Sequence, residues 1–218
     1  MSETRRAGGR QYPRGSDEFS RVIAFSDALF AIAMTLLVVS IAVPTLRTAG
    51  DVGQLADALN DLSSKFISFF ISFAVIGRYW LAHHQFVSLL RAIDNRIIVL
   101  NLVYLGFIAF LPFPTDLLGT YFENPLSVAL YAVNVACISG FEVLLFTRAH
   151  RARLLEREMP EEIFRWGRLM STTPVVFFAL SIPVAFVSTT AAVAVWFLGV
   201  PLGAYMDRRK PAGADDYL

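Results

Sequence analysis

Few residues in this chain can do chemistry, and those few sit among apolar neighbours. Asp27, Arg78, His83, His84 and Glu142 are ionisable groups inside long hydrophobic runs, accompanied by Ser26, Trp80, Asn95, Asn101, Ser171, Thr172 and Thr173. Carboxylates and imidazoles in such runs are the residue types that relay protons. They are costly in hydrocarbon unless they face one another or a wet cavity. His83 and His84 also invite a metal reading, but adjacent residues on a helix point ~100° apart, whereas helical histidine pairs that share a metal stand about four residues apart. No metal or other cofactor is expected. Catalysis would need a nucleophile with its base. Cys137 has no base nearby in the sequence and no serine sits in a glycine elbow, so an enzyme is not expected. What these groups do depends on the helices that hold them.

Of 218 residues, 56% are hydrophobic and 17% are charged, against about 45–50% and about 25% in a soluble domain. Mean hydropathy is +0.55, more apolar surface than a 24.2 kDa globule can hide. With 19 Phe and a net charge of +1, the chain is the reverse of a disordered one, and nucleic acid is not an expected partner. The lone Cys137 excludes an internal disulfide.

No charge occurs between Asp27 and Arg47, and about twenty residues at ~1.5 Å each cross the ~30 Å hydrocarbon layer. Further apolar runs extend from Lys65 to Phe86 around Arg78, from Arg96 to Asp116, and from Pro125 to Thr147 around Glu142. The charge-free 38 residues from Leu169 to Met206 fit two helices joined near Ser188, Thr189 and Thr190. The sequence thus predicts an all-α membrane protein with six transmembrane helices over residues 16–210, after a basic N-terminal segment over 1–15 and before a tail over 211–218. The run from Ala28 to Val43 is too long for a signal-peptide core, and no cleavage site follows it. Loop 44–64 is expected to hold one amphipathic turn, Val52 to Leu62, and Arg148 to Arg168 to form helical extensions.

Arg5, Arg6, Arg10, Arg14, Arg21, Arg91, Arg96, the arginines from Arg148 to Arg168, Arg208, Arg209 and Lys210 fall on one side of these spans. Only Arg47 and Lys65 fall on the other. Both termini are therefore expected in the cytoplasm. On this topology Ser26 and Asp27 open the first span, Arg78, Trp80, His83 and His84 close the second, and Asn95 and Asn101 open the third. Glu142 lies toward the inner end of the fourth, and Ser171, Thr172 and Thr173 open the fifth. Together they form a polar layer at inner-leaflet depth. That layer reads as a hydrogen-bonded cluster, with separate snorkelling of Arg78 and His84 to the headgroups as the other reading.

The first span carries a second pattern. At ~100° per residue, Phe25, Ala28, Ile32, Leu36, Val39 and Val43 share one stripe, with Thr35 on its edge and Asp27 more than a third of a turn away. Periodicity alone gives such a stripe to lipid or to another helix.

Arg21-Val22-Ile23-Ala24-Phe25-Ser26-Asp27 resembles the Arg-x-x-x-Phe-Ser-Asp signature of the lysosomal potassium channels called transmembrane protein 175 and their prokaryotic relatives. Trp80-Leu81-Ala82-His83-His84, and Asn101 with Leu111-Pro112-Phe113-Pro114-Thr115, agree with segments of the second and third helices of that family. The resemblance implies a potassium-selective channel in a bacterial cell membrane, lacking the Thr-Val-Gly-Tyr-Gly filter. It implies a homotetramer whose first helices line the pore, so that residues 16–210 form one channel domain. Its narrowest point lands on Ile32, its threonine layer on Thr35, and the next apolar rings on Leu36 and Val39. It casts Phe25, Ser26 and Asp27 as partners of the second and third helices through Trp80, His83 or His84, and Asn101. Arg21 falls near the inner mouth or against headgroups. The implied partners are further copies of the chain, membrane lipid and permeating monovalent cations, potassium and also protons. The alternative function is a proton-coupled transporter using Asp27, His83, His84 and Glu142, with Pro112, Pro114, Pro174, Pro183 and Pro201 as helix breaks. The paired inverted repeats usual in transporters are not found.

Overall fold

The computed structural model describes residues 10–214 and 217. Of the expected terminal segments, residues 1–9 with Arg5 and Arg6, and residues 215, 216 and 218, lie outside the described residues. Among the described residues six helical stretches are long and apolar enough to cross a membrane: α1 (Asp17–Val39), α3 (Ser63–Ser88), α4 (Asn95–Phe110) continued by α5 (Pro112–Thr120), α6 (Pro125–Arg151), α7 (Glu161–Ala185) and α8 (Thr189–Asp207). A short α2 (Val52–Asp61) lies between α1 and α3. Helix α1 packs on α3 and α4, α6 packs between α4 and α7, and α8 packs mainly on α7. The core runs through Phe30, Leu37, Ile76, Tyr104, Tyr131 and Ile138, all fully buried.

Helix α1 starts ten residues earlier than the charge count places the first span. Ser16 caps it, its Oγ accepting from the Phe19 amide at 3.3 Å, and Asp17 and Glu18 occupy the first turn, where carboxylates complement the helix dipole. The charge count takes Asp27 as the edge of the span, whereas the helix begins at the capped acidic turn before it. Asp27 therefore lies ten residues past Asp17, about 15 Å along the axis at ~1.5 Å per residue, and not at the start. Ser171 is likewise ten residues past Glu161, the first residue of α7. At the other end α1 stops at Val39, with Ser40 as its cap, so Val43 lies beyond the helix and leaves the stripe.

The third span is two helices on one path. Pro112 has no N–H for the Ile108 carbonyl, and the Leu111 amide takes that carbonyl instead at 3.2 Å, tightening the turn where α4 becomes α5. The expected amphipathic turn is the ten-residue α2, capped by Asp51, with Val52, Leu55 and Leu59 exposed.

One end of the bundle holds structure that hydropathy does not announce. β1 (Gln11–Pro13) pairs antiparallel with β2 (Ala92–Asp94), Tyr12 opposite Ile93. The Arg14 guanidinium donates to the Ser88 carbonyl at 2.8 Å. Leu90 bridges to Leu155, the Arg91 amide donates to Leu154 O at 2.9 Å, and the Glu156 amide donates to Leu89 O at 2.8 Å. The segment from Arg148 to Arg168 is thus helical only to Arg151 and again from Glu161. Pro160 biases the residue before it away from helix, and the intervening chain docks on the α3–α4 connection. Of the expected tail, Ala214 is buried and Tyr217 packs against the core.

Candidate functional site: the first helix and its polar network

Neighbouring residues on a helix diverge by ~100°, so Ser26 and Asp27 serve different partners. Buried Ser26 Oγ donates to the Val22 carbonyl at 2.9 Å and accepts from Asn101 Nδ2 on α4 at 2.9 Å. Asn101 Oδ1 lies 2.9 Å from His83 Nε2 on α3. A carbonyl oxygen only accepts, so His83 Nε2 carries the proton in this arrangement. The His83 ring stacks on Tyr104 at 5.7 Å between centroids and tilts against Phe30 at 5.6 Å. One hydrogen-bonded chain therefore ties α1 to α4 and α4 to α3.

Asp27 makes the second tie, its carboxylate accepting from Trp80 Nε1 on α3 at 3.0 Å. His84 stands 5.7 Å from the Trp80 ring and, among the described residues, makes no hydrogen bond in this network. Arg21 and Phe25 are exposed and line a groove between α1 and α4 with Tyr12 and Leu102. Glu142 stands apart: it shares a crevice with Arg78 among α3, α6 and α7. His83 lines the polar end of that crevice, but Asp27 does not. The expected single layer is two systems that meet at His83, with Asp27 on one side and Glu142 on the other.

The two faces of α1 differ sharply. Phe19, Ser26, Phe30, Ala33 and Leu37 are buried in the protomer. On the opposite side Phe25, Ile32, Leu36 and Val39 are 44–73% exposed, and Ala28 and Thr35 are exposed with them. Thr35 Oγ1 donates to the Ile32 carbonyl at 2.8 Å. With its proton tied back along the helix, the hydroxyl oxygen keeps acceptor lone pairs for an outside group. An apolar face of this size is stable only against lipid or another protein surface.

Four structural residues, Ser72, Asp94, Tyr104 and Tyr131, go unread in the sequence, and Thr115, part of the third-helix motif, gains a partner among them. Asp94 caps α4 by accepting from the Ile97 amide at 2.9 Å, and it also pairs with Arg148 on α6. Tyr104 supplies the ring beneath His83. Toward the other end, Thr115 Oγ1 donates to Ser72 Oγ at 2.8 Å, and Ser72 Oγ donates to the Tyr131 hydroxyl at 3.1 Å. Small hydroxyl residues at helical spacing inside a span are the available signal for such contacts.

The model of the family described as "Endosomal/lysosomal potassium channel TMEM175" matches residues 21–112, a stretch that holds the whole network and the α1 stripe. A potassium channel of Streptomyces collinus is 32% identical over 183 residues, covering 82% of this chain and 87% of that protein. The endosomal/lysosomal proton channel TMEM175 of Gallus gallus is 32% identical over 154 residues, 67% of this chain but 30% of that longer protein. Among solved structures, the crystal structure of a lysosomal potassium-selective channel TMEM175 homologue from Chamaesiphon minutus superposes with a TM-score of 0.73. It is 28% identical and matches 90% of this chain and 100% of that one. The signature on α1, its hydrogen-bond partners on α3 and α4, and likeness over nearly the full length of a bacterial relative lead to one assignment: the chain belongs to the TMEM175 family.

Proposed function

We propose that the chain is a potassium-selective cation channel in which four copies bring the exposed stripe of α1 around a central pore. The relatives' own names, potassium channel and proton channel, support ion permeation. The observation that carries the reading is the two-faced first helix. One face is fixed to α3 and α4 through Ser26–Asn101–His83 and Asp27–Trp80, while the other is apolar and uncovered. In this assembly four Ile32 side chains form a collar that closes by dewetting, since a narrow apolar bore offers water and a dehydrating cation no ligands. Leu36 and Val39 continue the apolar lining. Thr35 presents a ring of oxygens beside the collar, where potassium, the more easily dehydrated ion, is favoured moderately over sodium. Phe25 and Arg21 stand at the inner mouth.

The basic end of the bundle, with both termini, faces the cytoplasm of a cell membrane by the excess of Arg and Lys there. Residues 16–210 are the channel domain. Protons pass as well as potassium, as the name of the Gallus gallus relative suggests. The transporter alternative needs Asp27 and Glu142 in one relay, whereas Asp27 is bonded to Trp80 and does not line the crevice that holds Glu142. The test is potassium flux from liposomes holding the purified chain, beside cross-linking for subunit number. Flux without a coupled gradient and a four-subunit ladder support the proposal. A monomeric particle, or flux that requires a pH gradient, overturns it.

A further inference from the structure

Away from the α1 stripe, α3, α6, α7 and α8 enclose a crevice with two chambers. The larger, about 680 Å³, is walled by apolar side chains including Val75, Phe177, Phe178 and Trp196. The smaller, about 320 Å³, holds Gln85, Trp166, Asp207 and Lys210. Arg78, Glu142, Met170 and Ser171 line both, so the chambers join at a neck. Both volumes fall in the ~300–1,000 Å³ range of ligand sites. At the rim of the apolar chamber Phe70 and Phe197 are more than half exposed, which opens it sideways toward bilayer.

Depth and charge specify the occupant. Arg78 precedes the end of α3 at Ser88 by ten residues, and Glu142 precedes the end of α6 at Arg151 by nine. The neck thus lies ~15 Å inside the basic end of the bundle, with the polar chamber toward that end and the apolar one toward the bilayer middle. Among the described residues Arg78 and Glu142 make no direct ion pair, and neither side chain hydrogen-bonds to the protein. Ionic groups at this depth are costly without a partner, and the facing charges of Arg78 and Glu142 offset only part of that cost. Pro174 has no amide proton for the carbonyl of Met170, another neck residue. The apolar walls beyond the neck offer water few partners and match the shape and chemistry of an acyl chain.

We infer that the crevice binds one zwitterionic phospholipid, with an acyl chain in the apolar chamber, its phosphate against Arg78 and its primary ammonium against Glu142 and Asp207. A purely anionic head finds the cations Arg78 and Lys210 here but brings no ammonium for Glu142 and Asp207, and a quaternary ammonium has no N–H to give them. The site contains no residue of the α1 stripe, so it stands or falls separately from the pore.

The test uses the full chain in mixed vesicles of phosphatidylethanolamine, phosphatidylcholine and phosphatidylglycerol, followed by native mass spectrometry of retained lipid. Phosphatidylethanolamine is expected to be retained preferentially. Arg78→Gln weakens that retention about tenfold, as loss of a charge-assisted bond implies. At Gly203, which lines the apolar chamber, a Cβ would meet no atom within 4 Å, so Gly203→Leu is accommodated by the fold and is expected to lower retention of all three lipids. A measurement on the wild-type chain needs no variant: phosphatidylethanolamine with a photoreactive acyl terminus should cross-link to α7 and α8 peptides around Phe177 and Trp196. Equal retention of the three lipids, unchanged retention in both variants, or cross-links confined to other helices would overturn the assignment.

Discussion

Replacing Asn101 with Leu removes the joint of the Ser26–Asn101–His83 chain, and the cost is unequally shared. Ser26 keeps its bond to the Val22 carbonyl and loses only an incoming donor. His83 Nε2–H, buried between α3 and α4, loses its acceptor. An orphaned buried donor costs about 1–3 kcal/mol, while hydrogen bonds between membrane helices average ~0.6 kcal/mol in double-mutant cycles. Asn101→Leu is therefore expected to destabilise the fold by about 1–3 kcal/mol, most of it at His83. His83→Phe keeps the ring between Phe30 and Tyr104 and removes the donor. The double variant His83→Phe/Asn101→Leu should thus recover more than half of the single-variant loss, because deleting both partners is nearly neutral. Denaturant titration of the four proteins in one detergent measures the cycle. Strict additivity, or an Asn101→Leu protein as stable as the parent, would refute the account of the network.

Ile32→Asn should make the pore leaky and less selective, read as raised basal potassium flux and a reversal potential shifted toward that of a non-selective cation pore. Asp27→Ala should cut the yield of assembled protein more than unit conductance, because the carboxylate holds Trp80 and not the stripe; size-exclusion chromatography beside single-channel recording separates the two. Asp94→Ala loses the α4 cap, about 1 kcal/mol, and also the partner of Arg148, whose Nε already has none. Its thermal midpoint should fall further than that of Ser16→Ala, which loses an exposed cap and the hydroxyl bond to the Pro13 carbonyl but no ion pair.

The spans were legible because twenty apolar residues in a row have few other uses. Their ends were not, since Asp27, the last charge before the apolar run, lies inside the helix and not at its start. The Ser26, Asp27, Trp80, His83 and Asn101 cluster could be anticipated because matching depth on adjacent spans brings polar groups within reach. Depth carries no azimuth, however, and so Glu142 and Asp27 were assigned to one layer although their helices turn them to different sides. The three-residue strands β1 and β2 have no periodicity to read, and residues 152–160 dock through backbone bonds to the α3–α4 connection and through buried Leu154, Leu155 and Met159, which follow no helical or strand period.

Between Pro13, the last residue of β1, and Asp17, the first of α1, there are three residues, a tether of ~10 Å at full stretch. The first helix therefore has almost no slack at its root. To slide or swivel it must drag β2 along, and through Leu90 and Leu155 the α6–α7 connection as well. A gate built on such a helix opens by tilting whole protomers or by peeling a short ladder off its neighbour, and not as a lone piston.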